Sequence, residues 1–277
     1  MQTTRARSDR GRDDRSAGLD SPVRLELRLL GPIDVVGLER PLTSQQLSLV
    51  TYLACVGPAG REALVDALWD GAVVSDDRFA NLVSAVRVQV GRNRLPPAEA
   101  GRYRLVGLPT DLDLLVAALA DGEGGGRGGA GDDGLARLDA AIGRLGGPVC
   151  DRPGPRYWSW LDRHPEVSAG AEAMVARAAG RLVGVLRHRG DLERAQEVCE
   201  RALACVPLDR DLTLALGSLH RAQGRPGTAH RLLARWHHEL QRLDGAAVEA
   251  VHRPESSDPP GRAGSHPIEA AGGGRRP

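Results

Sequence analysis

Apolar and polar positions repeat with two different periods along the first hundred residues. Residues 24–29 (Arg-Leu-Glu-Leu-Arg-Leu) alternate with period two, the pattern of a half-buried strand. Gly31-Pro32 turns the chain, and Ile33-Asp34-Val35-Val36 predicts a second strand before a turn through residues 37–42. A small antiparallel sheet is expected. From residue 43 the period becomes helical. Leu47, Val50, Leu53 and Ala54 share a face of a helix over 43–56, with Thr43 or Ser44 as cap and Gly57-Pro58 as stop. Residues 61–69 predict a second helix, with Leu64, Val65 and Leu68 on one side and Trp69 at its end. Trp69 reads as a core residue, because nothing beside it is basic. A third helix follows Ser75. Asp76 and Asp77 suit its positive N-terminal end, and Phe79, Leu82, Val83, Val86 and Val90 form one apolar stripe. Arg87, Arg92 and Arg94 gather at its far end. Beyond Pro96-Pro97, Gly101-Arg102-Tyr103-Arg104-Leu105 predicts a strand with both arginines on one face. A helix followed by a basic hairpin suits a winged helix–turn–helix, with the helix in the major groove and the wing on the backbone. It suits an ordinary core helix and hairpin as well. The sheet and two helices that precede it favour the first.

The second half reads as helical throughout. Residues 111–119 open a helix, 120–134 (ADGEGGGRGGAGDDG) predict a flexible loop, 135–145 another helix, and 146–155 a Gly/Pro loop containing Cys150. The glycine run lacks the Lys-Ser/Thr of a phosphate-binding loop. Tyr157-Trp158-Ser159-Trp160-Leu161 is the densest aromatic cluster; base stacking is one use, and wedging between helices is the favoured one. From 175 to 243 the chain repeats itself. Leu182, Val185, Gly190 and Ala195 recur as Leu216, Leu219, Gly224 and Ala229, each 34 residues on, which is the tetratricopeptide period. Gly190 and Gly224 fall where a helix wants a C-terminal glycine, and the two alanines where a second helix packs closely. Two such repeats cannot bury their faces alone, so the helices before them are expected to complete the bundle. The expected fold is mainly α. A winged helix–turn–helix with a small antiparallel sheet occupies residues 23–110 and a tetratricopeptide-like bundle 111–245, flanked by disordered segments 1–22 and 246–277.

Five stretches carry a family resemblance: Leu29-Leu30-Gly31-Pro32, Arg40-Pro41-Leu42, residues 63–69 (ALVDALW), Val83-Ser84-Ala85-Val86-Arg87 closing at Gly91, and residues 101–105 (GRYRL). In this order and spacing the chain resembles the actinobacterial antibiotic-regulatory-type (SARP/AfsR-like) transcriptional activators. In these a response-regulator-type winged helix precedes a bacterial transcriptional activator domain. Residues 190–195 (GDLERA) and 205–209 (CVPLD) are similar to the helical repeats of that domain. The resemblance covers roughly residues 23–245. It implies double-stranded DNA as partner, with Asn81, Ser84, Ala85, Val88 and Arg92 towards the groove. Arg87, and Arg102, Tyr103 and Arg104 on the wing, would lie towards phosphate, and Arg94 belongs to the same DNA-binding set. It also implies a helical domain that contacts RNA polymerase, a second copy or another protein. The third helix of the family carries arginines at the positions of Ala85 and Val88. Here only Arg87 is kept, and the two aliphatic residues offer methyl contacts to thymine rather than bidentate contacts to guanine.

Charge narrows this picture without settling it. The net charge is +1, and all 37 positive residues are arginines, so a nucleic-acid footprint has to be local. Residues 85–104 hold five arginines against one glutamate, whereas residues 23–110 hold ten against nine acids. An alternative therefore stands beside the DNA-binding regulator: an interaction or signalling module that keeps the fold without binding DNA. It is similar to the cytoplasmic C-terminal parts of larger actinobacterial proteins in which this domain pair follows membrane or LysM segments. The four cysteines show no C-x-x-C spacing and are expected as free thiols in a reducing cytosol. No apolar leader and no run of about 18 apolar residues occurs, so a cytoplasmic protein without membrane association is expected. Trp236-His237-His238-Glu239 lacks the H-E-x-x-H order, no Gly-x-Ser-x-Gly occurs, and Asp76/Asp77 and Asp132/Asp133 are sequence neighbours that do not converge. No cofactor, metal or enzymatic activity is expected.

Overall fold

The computed structural model describes residues 25–123 and 130–252; the expectations for residues 1–22 and for the chain after 252 lie outside them. Strands β1 (Glu26–Arg28) and β2 (Asp34–Val36) pair antiparallel, with Leu27 opposite Val35. Helix α1 (Ser44–Cys55) begins with a reciprocal cap: Gln46 N–H donates to the Thr43 hydroxyl at 3.4 Å and Thr43 N–H to the Gln46 side-chain carbonyl at 2.9 Å. Two donors that a helix start would otherwise strand are thereby satisfied. β3 (Ala59–Gly60), α2 (Arg61–Trp69) and α3 (Asp76–Val90) follow. The buried residues of α3 are Phe79, Leu82, Val83, Val86 and Val90, the stripe read from the sequence, and Ser75 caps it by accepting from Arg78 N–H. β4 (Arg102–Tyr103) pairs antiparallel with β3, Tyr103 opposite Ala59. β3 was not legible, since two residues carry no period.

The helical half comprises α4 (Asp111–Glu123), α5 (Ala130–Ile142), the short α6 (Ser159–Arg163), α7 (Pro165–His188), α8 (Leu192–Cys205), α9 (Arg210–Ala222) and α10 (Pro226–His252). The flexible loop expected over 120–134 is corrected at both ends: α4 runs on to Glu123 and α5 already starts at Ala130. Leu138 and Ile142 are buried, Asp132 and Asp133 sit in the favourable first turn of α5, and Arg137 pairs with Asp121 at 3.1 Å. The tail expected from 246 is corrected likewise. Residues 246–252 (AVEAVH after Ala246) hold no glycine or proline, and α10 continues through them to His252. The 34-residue repeat is a repeat of geometry. After α7, Asp191 N–H donates to Leu186 carbonyl at 2.9 Å and Gly190 N–H to Arg187 carbonyl at 3.1 Å; after α9, Arg225 donates to His220 at 2.8 Å and Gly224 to Arg221 at 3.0 Å. Both glycines are left-handed, φ 78° and 74°, the requirement of this helix stop. Ala195 and Ala229 are fully buried. Of the described residues, those up to 233 belong to one compact unit and 234–252 to a second, and α10 contributes to both. The result is a winged helix with small antiparallel sheets and a tetratricopeptide-like helical body.

The winged helix and the helical body meet along a seam of main-chain hydrogen bonds. Leu27 N–H donates to Pro109 carbonyl at 3.0 Å and Ile33 N–H to Asp151 carbonyl at 2.7 Å. The carbonyls of Leu29, Leu30 and Gly31 accept from Cys150, Gly146 and Asp151 at 2.7, 2.8 and 3.1 Å. The buried Asp111 carboxylate takes two further donors, Leu29 N–H at 2.8 Å and Leu30 N–H at 3.1 Å. Gly31 lies so close to Gly146 that a Cβ would stand 3.0 Å from its Cα, so glycine is required there. The aromatic cluster closes the other end of the seam. Trp158 and Trp160 are fully buried and donate their indole N–H groups to Ser44 and Ser48 of α1 at 3.0 and 2.9 Å. Ser48 in turn donates to Tyr157 carbonyl at 2.5 Å, and Tyr52 meets Trp160 edge-on at 5.1 Å. The wedge reading of this cluster holds, and the wedge is driven onto α1. Cys150 and Tyr157 both lie at the seam with positive φ, 54° and 72°, at a cost of about 1 kcal/mol or more each that the surrounding bonds offset.

The four cysteines are free, and among the described residues no helix is long and apolar enough to cross a membrane. Asp111→Ala strands two buried N–H groups, and we expect a loss of at least about 3 kcal/mol of stability in urea unfolding. His220, which takes the repeat position of Leu186, is 5 % exposed with an unpartnered Nδ1. Burial, reinforced by Arg225 and opposed by Glu200, holds its imidazole below the ordinary 6.5. The unfolded chain takes up a proton there before the folded one, so stability should fall with pH through the range just below 6.5. His220→Leu should raise stability by about 1 kcal/mol and flatten that acid limb, as read from thermal melts at about pH 5.5 and about pH 7.5.

Candidate nucleic-acid interface

The core stripe of α3 fixes what its opposite face presents. With Phe79, Leu82, Val83, Val86 and Val90 buried, Asn81, Ser84 and Val88 are exposed and Ala85 half-buried. These four lie at i, i+3, i+4 and i+7, one continuous outer stripe. Val88 is 80 % exposed, an aliphatic side chain with no packing role in the fold. Beside the stripe, a cavity of about 640 Å³ opens between Ala85, Val88 and Gln89 and residues 37–40 of the loop after β2. Gln89 also donates to Gln46 at 3.3 Å, which ties the C-terminal part of α3 to the capped start of α1.

The arginines divide into those the fold has engaged and those it has not. Arg87 donates from Nε to Leu95 carbonyl at 2.8 Å and from Nη2 to Pro96 carbonyl at 2.7 Å, and its guanidinium lies 5.9 Å from the Tyr103 ring centre. It pins the loop between helix and wing to α3. Arg94 donates to Val90 carbonyl at 3.1 Å. Arg104 is exposed and pairs with Glu99 at 3.1 Å. Tyr103 is half-buried against Phe79, with ring centres 5.5 Å apart, which places it as an anchor of the wing rather than on its outer surface. Arg92 and Arg102 are exposed, and their guanidinium groups have no hydrogen bond or ion pair within the described residues.

The wing differs from the strand expected over 101–105. Glu99 and Arg102 exchange both main-chain hydrogen bonds at 3.0 Å around Ala100 and Gly101, whose φ values are 50° and 74°. Two successive positive φ values make the tight turn that matches strand twist. The strand is two residues long because β3 offers only Ala59 and Gly60 as partners. Its alternation survives, with Arg102 and Arg104 outward and Tyr103 inward.

Two contributions escaped the sequence reading. Arg40, exposed on the rim of the cavity beside Ala85 and Val88, joins Arg92 and Arg102 as an unengaged cation, with Glu39 next to it. Its only sequence signal was its place in Arg40-Pro41-Leu42. Arg61 donates to Val74 carbonyl at 2.8 Å, pairs with Asp76 at 2.7 Å and lies over the Phe79 ring, so it orients the start of α3. Among the described residues no group of three or more His, Cys, Asp or Glu side chains is placed to hold a metal ion.

The division of arginines predicts opposite outcomes for neighbouring substitutions. Arg87→Ala should cost about 1.5–3 kcal/mol of stability, the range for hydrogen bonds from a charged donor, whereas Arg92→Ala should stay within about 0.5 kcal/mol. Urea midpoints of the two variants check this.

No family model matches the chain, and no curated protein matches it. Among solved structures, Mycobacterium tuberculosis EmbR in complex with a low-affinity phosphopeptide is similar. It has a TM-score of 0.54 and 24 % identity over 77 % of this chain and 59 % of that one. The chain thus spans somewhat over half the length of the EmbR chain. At this identity the likeness is one of fold: a winged helix joined to a tetratricopeptide-like helical body, the architecture implied by the resemblance to the antibiotic-regulatory-type activators.

Proposed function

We propose that the protein is a DNA-binding transcriptional regulator. The observation that carries this reading is the outer stripe of α3, Asn81, Ser84, Ala85 and Val88, opposite the buried stripe, with the unengaged Arg40 beside it, Arg92 one turn beyond Val88 and Arg102 on the wing. Laid in a major groove, the stripe would offer one amide, one hydroxyl and two aliphatic surfaces. That set discriminates through thymine methyl groups and adenine more than through guanine. Phosphate contacts from the three arginines would supply most of the affinity and make it depend on salt. The helical body is assigned to protein contacts, with RNA polymerase or a second copy of the chain as partner.

A second reading has its own observation. Of the five arginines between residues 85 and 104, Arg87, Arg94 and Arg104 have partners within the fold, which leaves an outer face poor in cations. An interaction module that keeps this fold without binding DNA fits that face.

Binding to random duplex DNA separates the two. The regulator reading expects binding at low salt that weakens steeply with added salt. The variant Arg40→Ala/Arg92→Ala/Arg102→Ala should lower the slope of log affinity against log salt by about 0.9 per lost phosphate contact. Absence of binding at low salt, or an unchanged slope in the variant, sinks the regulator reading.

A further inference from the structure

A cavity of about 560 Å³ opens where the two halves of the molecule meet. One wall comes from the winged half: Leu53 in the last turn of α1, and Leu105 and Leu108 on the segment that leads from the wing to α4. The other wall is a single stripe of α7, Val167, Gly170, Ala171 and Met174, spaced i, i+3, i+4 and i+7. Its two ends are large and its two middle positions are the smallest available, which is why a hollow remains. A Cβ built on Gly170 would meet nothing within 4 Å.

The lining states what the hollow would accept. Its volume falls within the range of about 300–1,000 Å³ usual for small-molecule sites, which favour seams between folded parts. Asp113 is the one charged side chain among the lining residues, and its Oδ2 already accepts from Thr110 N–H at 2.9 Å. No arginine or histidine lines the cavity, so nothing would neutralise an anion, and the carboxylate would repel one. The thiols of Cys55 and Cys150 also face it, and burial pushes them up to about 12 and about 11, which leaves them as weak, uncharged donors. We propose that this cavity is a binding site for a small, uncharged, largely apolar molecule.

The site is connected to the C-terminal end of α3. Val106 N–H, between the wall residues Leu105 and Leu108, donates to Arg94 carbonyl at 2.8 Å, and Arg94 donates to Val90 carbonyl at the end of α3. An occupant of the cavity therefore bears on the segment that carries the wing. The binding claim itself needs no DNA contact and stands or falls separately from the regulator reading.

Fluorescence titration of the full chain with N-phenyl-1-naphthylamine, a neutral apolar probe, tests it. We expect saturable binding of one probe per chain. Gly170→Leu fills the hollow from a helical position and improves helix propensity, so its Tm should be unchanged or raised while probe affinity falls at least about tenfold. The anionic 1-anilinonaphthalene-8-sulfonate should bind more weakly than the neutral probe. No saturable signal overturns the proposal, whether another copy or the chain's own segments fill the hollow or nothing does. Equal probe affinity in a folded Gly170→Leu variant overturns it too, as does tighter binding of the anionic probe.

Discussion

The Asp111 carboxylate is the point on which the two halves of the molecule depend. It stands at the first residue of α4, buried, and accepts the N–H groups of Leu29 and Leu30 just after β1. Without it β1 would end in two stranded donors, because the β1–β2 ladder stops at Arg28. Burial lifts the carboxyl above its ordinary range, and the two backbone donors pull it back. The neighbouring bonds follow the same logic. Leu27, Leu29, Leu30, Gly31 and Ile33, beside or beyond the small ladder, bond to residues 109–111 and 146–151, in keeping with the need of buried main chain for partners. A two-stranded ladder is marginal on its own. Here it is completed by the helical body rather than by a third strand.

This construction has consequences for the outer face of α3. Trp158 and Trp160 hold α1 through Ser44 and Ser48; α1 holds α3 through Gln46 and Gln89; Arg87 holds the loop to the wing. Helix α3 and the wing are thus tied to the rest of the fold, and part of their arginine complement is spent on these ties. Rigidity and cationic surface draw on the same side chains, because the N–H groups that Arg87 gives to two carbonyls are not available to a phosphate. Arg40, Arg92 and Arg102 are the ones this competition leaves over.

The cavity between α1, α7 and the segment after the wing belongs to the same seam. Hydrogen bonds close the seam at Leu27–Ile33 and at the tryptophans, and between these two closures Gly170 and Ala171 are too small to fill the space. A seam held by directional bonds at its ends does not need to be packed in its middle.

Much of this was legible in the chain itself. The α3 stripe, the Ser75 and Thr43 caps, the alternation around Tyr103 and the left-handed glycines Gly190 and Gly224 follow from local rules of period and capping, which act within a few residues and leave their mark on sequence. β3 left none, since a two-residue strand exists only through its partner at Arg102–Tyr103. The extension of α4 to Glu123 and the start of α5 at Ala130 were hidden by glycine-rich composition. Which arginines face outward was beyond the sequence for a physical reason. A long guanidinium side chain samples a wide shell, and its partner is set by carbonyls such as those of Leu95 and Pro96, which stand within reach only once the loop is folded. The sequence by itself determined the elements, their order and the apolar faces they bury. The tertiary structure alone decided how the halves are joined, where the hollow lies, and which cations remain to meet a partner.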